Sequence, residues 1–297
     1  MKYLLVAAWP AGLALILAAG YLLARRPAVA TAGPRPGSHG GGQHGGGSHG
    51  GGRRVLAGGG IGEWPLEAAK LIVLVFAGAV VVYGVLALLG LLVVNHGLAI
   101  DRPAYTWMTH NWVHPMVALQ NRLTKIGNTW TVWGAAVAAA VCLSVTWRTK
   151  RWLPSVVFAV CIFVDHYTTL ALRHTFHRLG PPDSPLGTYP SGGCDRVILF
   201  GGLIAYLLWR EFSGQRKTAI WSGAVVAALG FNEAYSRFYL TLHWLTDALS
   251  GLLYGALLLA VFITAVRLVA GPAAPRAALN DAPVRASRSS AAPESVA

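Results

Sequence analysis

Seven stretches of this chain are predominantly apolar, five of them for about 18 residues or more, the length at which an α-helix begins to cross the hydrocarbon core of a bilayer. A water-soluble globule does not need such runs. Of the 297 residues, 55% are hydrophobic and only 12% charged, far from the balance of a soluble domain. The first run spans Tyr3 to Ala24 and closes on Arg25-Arg26. Only Lys2 precedes it, and it exceeds the apolar region of a secretory signal, so an uncleaved anchor is expected. The other six are Leu66–Val94, Thr129–Trp147, Trp152–Leu172, Val197–Trp209, Thr218–Phe231 and Leu245–Val266. The fourth and fifth of these are short and need flanking residues to cross.

The expected fold is therefore an all-α membrane protein: a six-helix transmembrane core preceded by one extra N-terminal transmembrane helix. Four segments follow: an anchor over 1–26, a linker over 27–62, the six-span domain over 63–267 and a tail over 268–297. Linker and tail are rich in Gly, Ser, Pro, Ala and Arg, bury too little apolar surface to offset chain entropy, and are expected to be disordered. His39, His44 and His49 recur every five residues in the linker, a polar spacer that also has the side chains to take a transition metal. Cys142, Cys161 and Cys194 are odd in number and widely spaced, which excludes a disulfide framework.

A net charge of +13 would suggest a nucleic-acid partner in a soluble chain. In a membrane protein it first has to be mapped onto the loops. Alternation of the spans puts 15 Lys and Arg on one side, among them Arg25, Arg26, Arg148, Lys150, Arg151, Arg210 and Arg216, and eight on the other. The richer side is read as cytoplasmic, which puts the segments around Arg173, Ser191 and Arg237 outside and leaves no reason to invoke nucleic acid. Trp107, Trp112 and Trp130, with Arg122 and Lys125, resemble an interfacial belt in the outer segment before Thr129.

Those outer segments hold the polar chemistry. Ser236-Arg237 is followed by His243 and then Asp247. On a helix the last two share a face, where the carboxylate can accept the imidazole N–H and leave the other nitrogen as nucleophile or base. Arg237 offers a planar fork suited to phosphate or carboxylate. Tyr189-Pro190-Ser191-Gly192-Gly193-Cys194 precedes an apolar helix: Ser191 can cap it, and two glycines let backbone N–H groups approach an anion at the positive end of the helix dipole. Arg173 closes a span and is followed by His174, His177, Arg178 and Gly180-Pro181-Pro182. Asp165-His166 and Asn232-Glu233 lie at membrane depth, where ionisable residues are expensive and usually functional. Each feature also has a bland reading as a turn, a snorkelling arginine or a helix cap; three on one membrane face argue for an anion site.

Together these motifs resemble those of the type 2 phosphatidic acid phosphatase superfamily of integral-membrane lipid phosphatases. Ser236, Arg237, His243 and Asp247 match its third motif in full; Pro190, Ser191 and Gly192 match its second, with Gly193 at the histidine position; Arg173 and Pro181 match its first loosely, with Gly180 at the arginine position. The resemblance covers roughly Leu66 to Val266. It implies attack of His243 on phosphorus, a phosphohistidine that water then hydrolyses, and Asp247 orienting the histidine. It further implies that Arg173, Ser191, Gly192, Gly193 and Arg237 hold the phosphoryl oxygens, and it calls for no metal and no cofactor.

The substrate so implied is a membrane lipid phosphate or isoprenyl diphosphate, met at the extracytoplasmic face of the cell membrane. Gly193 cannot protonate a leaving oxygen, a function worth about 10²–10⁴-fold. His166, His174 or His177 can replace the missing acid, a diphosphate substrate can dispense with it, or the site can bind without turnover. Arg178 or Arg196 can replace the arginine absent at Gly180. A non-catalytic headgroup binder and a lipid phosphotransferase are the competing functions.

Overall fold

The computed structural model describes residues 12–18, 64–147, 150–182 and 188–271. Most of the anchor, the linker with His39, His44 and His49, and the tail beyond Gly271 lie outside the described residues. Among the described residues the chain is helical and has no strand. In chain order the helices are α1 (12–18), α2 (Trp64–His96), α3 (Leu98–His110), α4 (His114–Leu123), α5 (Thr129–Thr146), α6 (Trp152–Phe176), α7 (Gly192–Leu208), α8 (Arg216–Tyr239) and α9 (Leu245–Ala270). A 3₁₀ turn, Thr124–Gly127, links α4 to α5, and a π turn, Trp209–Ser213, prolongs α7.

Helix α2 shows why the environment is hydrocarbon. Leu71, Val75, Ala79, Val82, Leu86 and Val93 recur at helical spacing and are buried, while Val73, Val80, Val81 and Leu88 on other faces are each about two-thirds exposed. A helix apolar all round belongs in a bilayer. Five helices have the length and apolarity to cross one: α2, α5, α6, α7 with its π turn, and α9. This is a multi-pass membrane protein. The expected fifth core span is helical over 24 residues as α8 but is not among those five, because Asn232, Glu233, Ser236 and Arg237 occupy its last turns. The short fourth span does borrow flanking residues: α7 begins at Gly192 rather than Val197.

The bundle is organised around α7, of whose apolar window 61% is buried, against 22–39% for the other four. Its N-terminal turn is seated by α9. A Cβ on Gly251 would lie 2.4 Å from the Ser191 carbonyl oxygen, and one on Gly255 2.4 Å from that of Asp195. Only glycine allows the two backbones to approach so closely, the small-xxx-small device of membrane helix packing.

The helix ends sort into two groups. At one end Lys150 Nζ donates to Glu67 Oε1 at 2.5 Å and to the Val269 carbonyl at 3.0 Å, and Arg210 Nη2 donates to the Ala270 carbonyl at 2.8 Å. At the other end meet the segment after α6, the start of α7, the end of α8 and the start of α9, which are the three polar segments singled out from sequence. All three cysteines are free.

Candidate active site

The spacing between Arg237 and His243 has a structural cause. Helix α8 ends, the chain reverses through Thr241 at φ 53°, and the backbone N–H groups of Leu242 and His243 both return to the Arg237 carbonyl, at 3.0 and 3.3 Å. His243 is thus held beside Arg237 and is only 9% exposed. Helix α9 begins at Leu245, so His243 precedes its first turn. The expected one-face pairing with Asp247 therefore does not form.

Instead, His243 Nδ1 lies 3.1 Å from the Thr188 carbonyl oxygen. A carbonyl only accepts, so Nδ1 carries the proton and Nε2 keeps its lone pair. Asp247 acts at one remove: its carboxylate accepts from the Thr188 hydroxyl and from Arg178, fixing the residue whose carbonyl fixes the ring. Burial, then the positive Arg237 and Arg173, lower the His243 pKa from 6.5 to about 3. The ring is neutral at physiological pH, the form a nucleophile needs.

The anion cradle is built on the first turn of α7. Ser191 occupies the cap position but its hydroxyl makes no cap hydrogen bond, against the sequence expectation. The first N–H groups of any helix lack intrahelical partners, and here they open among three guanidiniums. A Cβ on Gly192 would lie 2.9 Å from Arg173 Nη2 and 3.0 Å from Arg196 Nη2; one on Gly193 would lie 2.6 Å from Arg237 Nη2. Arg237 Nε donates to Glu233 Oε1 at 2.6 Å, and Arg237 Nη2 to Asn128 Oδ1 at 3.3 Å. Thr124 donates to the same Glu233 oxygen at 3.2 Å. Arg196 Nε donates to Asp165 Oδ2 at 3.3 Å. Asp195 takes a 3.3 Å hydrogen bond from Thr169 and lies beside Arg173 and Arg196. Three fully buried carboxylates, Asp165, Asp195 and Glu233, thus underlie three arginines.

The structure sorts the remaining sequence options. Arg178 is not a substitute phosphate ligand: its Nη2 is 2.5 Å from Asp101 Oδ2, its Nη1 binds Asp247, and its side chain is 5% exposed. His166 is exposed, against Trp133 and Tyr167, and His174 and His177 are exposed and face each other. None of the three enters the buried pocket, because each leaves α6 or its cap on an outward face. Trp130 is 82% exposed beside Trp133, whereas Trp112 is tied to the Tyr239 carbonyl at 2.8 Å. Sequence reasoning missed Thr188 and Asp101, whose roles arise from tertiary contacts, and named Glu233 without its pairing to Arg237, although the four-residue spacing was visible.

Gly193 is explained by the same geometry. The space a side chain there would enter holds Arg237 and Glu233 Oε1, the latter 2.8 Å from the would-be Cβ. Gly193→His, which places the superfamily's histidine at this position, is expected to displace the Arg237–Glu233 pair and destabilise the fold by about 1–3 kcal/mol. Thermal denaturation of the purified variant checks this, and unchanged stability would contradict it.

Fold and site together define the class: a helical membrane protein with a buried histidine and a cluster of arginines at one end of its bundle. Over 144 residues the chain is 30% identical to a protein of Escherichia coli (strain K12) named as an undecaprenyl-diphosphatase, YbjG; the match covers 48% of this chain and 57% of that relative. It also superimposes on the crystal structure of the first transmembrane PAP2-type phosphatidylglycerolphosphate phosphatase from Bacillus subtilis with a TM-score of 0.55 and 18% identity, covering 63% of this chain and 94% of that one. No family model matches the chain. The chain shares the fold of that phosphatase, and the resemblance to the type 2 phosphatidic acid phosphatase superfamily read from its motifs is supported.

Proposed function

We propose that this protein is an integral-membrane phosphatase that hydrolyses a lipid phosphate or isoprenyl diphosphate at the extracytoplasmic face through a phosphohistidine on His243. The observation that carries the reading is the buried, neutral His243, its Nδ1 proton held by Thr188, beside Arg237 and Arg173. Nε2 attacks phosphorus as the bond to the leaving oxygen breaks, releasing the lipid alcohol or, from a diphosphate, the lipid monophosphate; Arg173, Arg237, the Ser191 hydroxyl and the Gly192 and Gly193 amides receive the three equatorial oxygens; water then cleaves the phosphorus–nitrogen bond, releasing inorganic phosphate and the free imidazole. Phosphoryl transfer depends mainly on positioning and charge neutralisation, which a braced set of guanidiniums supplies without reorganisation.

The acid problem decides between substrates. With glycine at 193 and the three alternative histidines turned outward, an alkoxide would leave unprotonated, at a cost of about 10²–10⁴-fold. A phosphate leaving group already carries stabilised charge. The lipid diphosphate is therefore the favoured substrate, in keeping with the name of the E. coli relative. Purified protein in nanodiscs is expected to release inorganic phosphate from an isoprenyl diphosphate at least about 10²-fold faster than from the corresponding monophosphate. Equal rates would show that another group supplies the proton. The missing acid is also what a headgroup binder without turnover would show; transient radiolabel on His243 from labelled diphosphate separates the two.

A further inference from the structure

The site as the motifs define it has two arginines, Arg173 and Arg237, and lacks the third that the superfamily pattern places at Gly180. Arg196 lies at the fifth position of α7 and was matched by no motif. Its Nη2 would be 3.0 Å from a Gly192 Cβ, almost level with Arg173 Nη2 at 2.9 Å. The two guanidiniums therefore converge on the space beside Gly192, Arg173 from α6 and Arg196 from one turn further along α7 itself.

Arg196 is also aimed. Its Nε donates to Asp165 Oδ2, and that carboxylate comes from α6 and is fully buried. With Nε occupied from below, the fork presents its terminal nitrogens upward, towards the N-terminus of α7. Two like charges would not settle beside one another at membrane depth for packing alone. Bringing Arg173 and Arg196 together is costly unless counter-charges hold them, and Asp165 and Asp195 do so. Arg173 Nε has no hydrogen-bond partner, so donor capacity remains at the cradle beside Arg196.

We propose that Arg196 is the third phosphoryl ligand of this site, replacing the arginine absent at Gly180, and that Asp165 is its positioning residue. The proposal rests on the phosphatase reading for the identity of the pocket, and it assigns to the phosphoryl oxygens one residue from the very helix whose N-terminus they face. Arg178, the other candidate, is consumed by Asp101 and Asp247.

The test uses the full chain in nanodiscs with inorganic diphosphate as the probe. Because Arg196→Gln alone strands Asp165, the isosteric pair Arg196→Gln/Asp165→Asn is made beside it, and thermal denaturation confirms that both fold. Diphosphate binding is expected to weaken roughly 10- to 100-fold in the pair, the loss that one charge-assisted hydrogen bond represents, while Lys150→Met, at the opposite end of the bundle, keeps wild-type affinity. Asp165→Asn alone is expected to weaken binding several-fold but to add nothing once Arg196 is glutamine, as a residue acting through Arg196 must. Binding by the pair within twofold of wild type overturns the phosphate role of Arg196. An Asp165→Asn effect undiminished in the Arg196→Gln background overturns the positioning role. If the wild-type protein binds diphosphate through Arg196 yet releases no phosphate from any lipid, the phosphatase reading fails and this assignment stands.

Discussion

His243→Ala is expected to lower kcat for phosphate release from an isoprenyl diphosphate by on the order of 10⁴–10⁶-fold, as loss of a nucleophile does, while lipid diphosphate still binds. The separation follows from the layout. Arg196 and Arg237 are held by Asp165 and Glu233, and Arg173 lies near Asp195, so removing the imidazole leaves the cradle in place. A mass-action binding isotherm beside a phosphate-release assay checks both halves, and unchanged release would refute the mechanism. The same residue gives a pH signature. With its pKa lowered to about 3 by burial and by Arg237 and Arg173, the ligand-free ring stays neutral from about pH 8 to about pH 5, where an ordinary histidine titrates. The sign for stability follows: between 6.5 and about 3 the unfolded ring holds a proton that the folded ring refuses. The contribution of the neutral ring is complete above 6.5 and is lost as pH falls towards 3. Nitrogen-15 NMR of the labelled ring reads the first effect, and a reduced acid dependence of unfolding in His243→Ala reads the second.

How far the sequence carries depends on whether a residue's role is local. The membrane helices were legible because an apolar run of sufficient length has few other places to go. The Ser191-Gly192-Gly193 turn was legible as the start of a helix, because a cap residue and two glycines precede an apolar run, and α7 does begin at Gly192. The His243–Asp247 relation was misread for a local reason: four-residue spacing puts two side chains on one face only inside a helix, and Thr241 at φ 53° delays the start of α9 until both the histidine and Trp244 have passed. Thr188 was invisible because it contributes a carbonyl, which every residue owns. Asp101 was invisible because its partners, Arg178 and Thr246, come from segments 77 and 145 residues away. The choice between Arg178 and Arg196 as the spare arginine was open for the same reason, since only tertiary structure shows that both terminal nitrogens of Arg178 bind carboxylates while Arg196 meets Asp165 through Nε.

That occupied arginine is the site's mechanical centre. Arg178→Met is expected to destabilise the fold by about 3–5 kcal/mol, the range for breaking a buried ion pair from one side. The sequence of causes begins at His177, where α6 ends with φ 42° and turns the chain so that Arg178 points back into the protein. There its guanidinium joins Asp101 of α3 to Asp247 of α9 and takes in Thr246 Oγ1 at 3.0 Å. Asp101 in turn accepts the Thr246 N–H at 3.0 Å, supplying one of the hydrogen bonds that the first turn of α9 lacks. Methionine fills a similar volume but leaves two carboxylates, each fully buried, facing each other without a cation. The Lys150–Glu67 pair at the opposite end has side chains 28% exposed on both partners, so Lys150→Met is expected to cost less than about 1 kcal/mol. Thermal denaturation of the two variants in the same nanodiscs makes the comparison. The triple variant Arg178→Met/Asp101→Asn/Asp247→Asn is expected to recover much of the stability, because it removes the stranded charges along with their partner. It is not expected to recover phosphate release, since Thr188 then exchanges a charged acceptor for a neutral amide oxygen, and its carbonyl, which fixes the His243 tautomer, is held less firmly. A triple variant with full activity would show that the Asp247–Thr188–His243 chain plays no part in orienting the nucleophile.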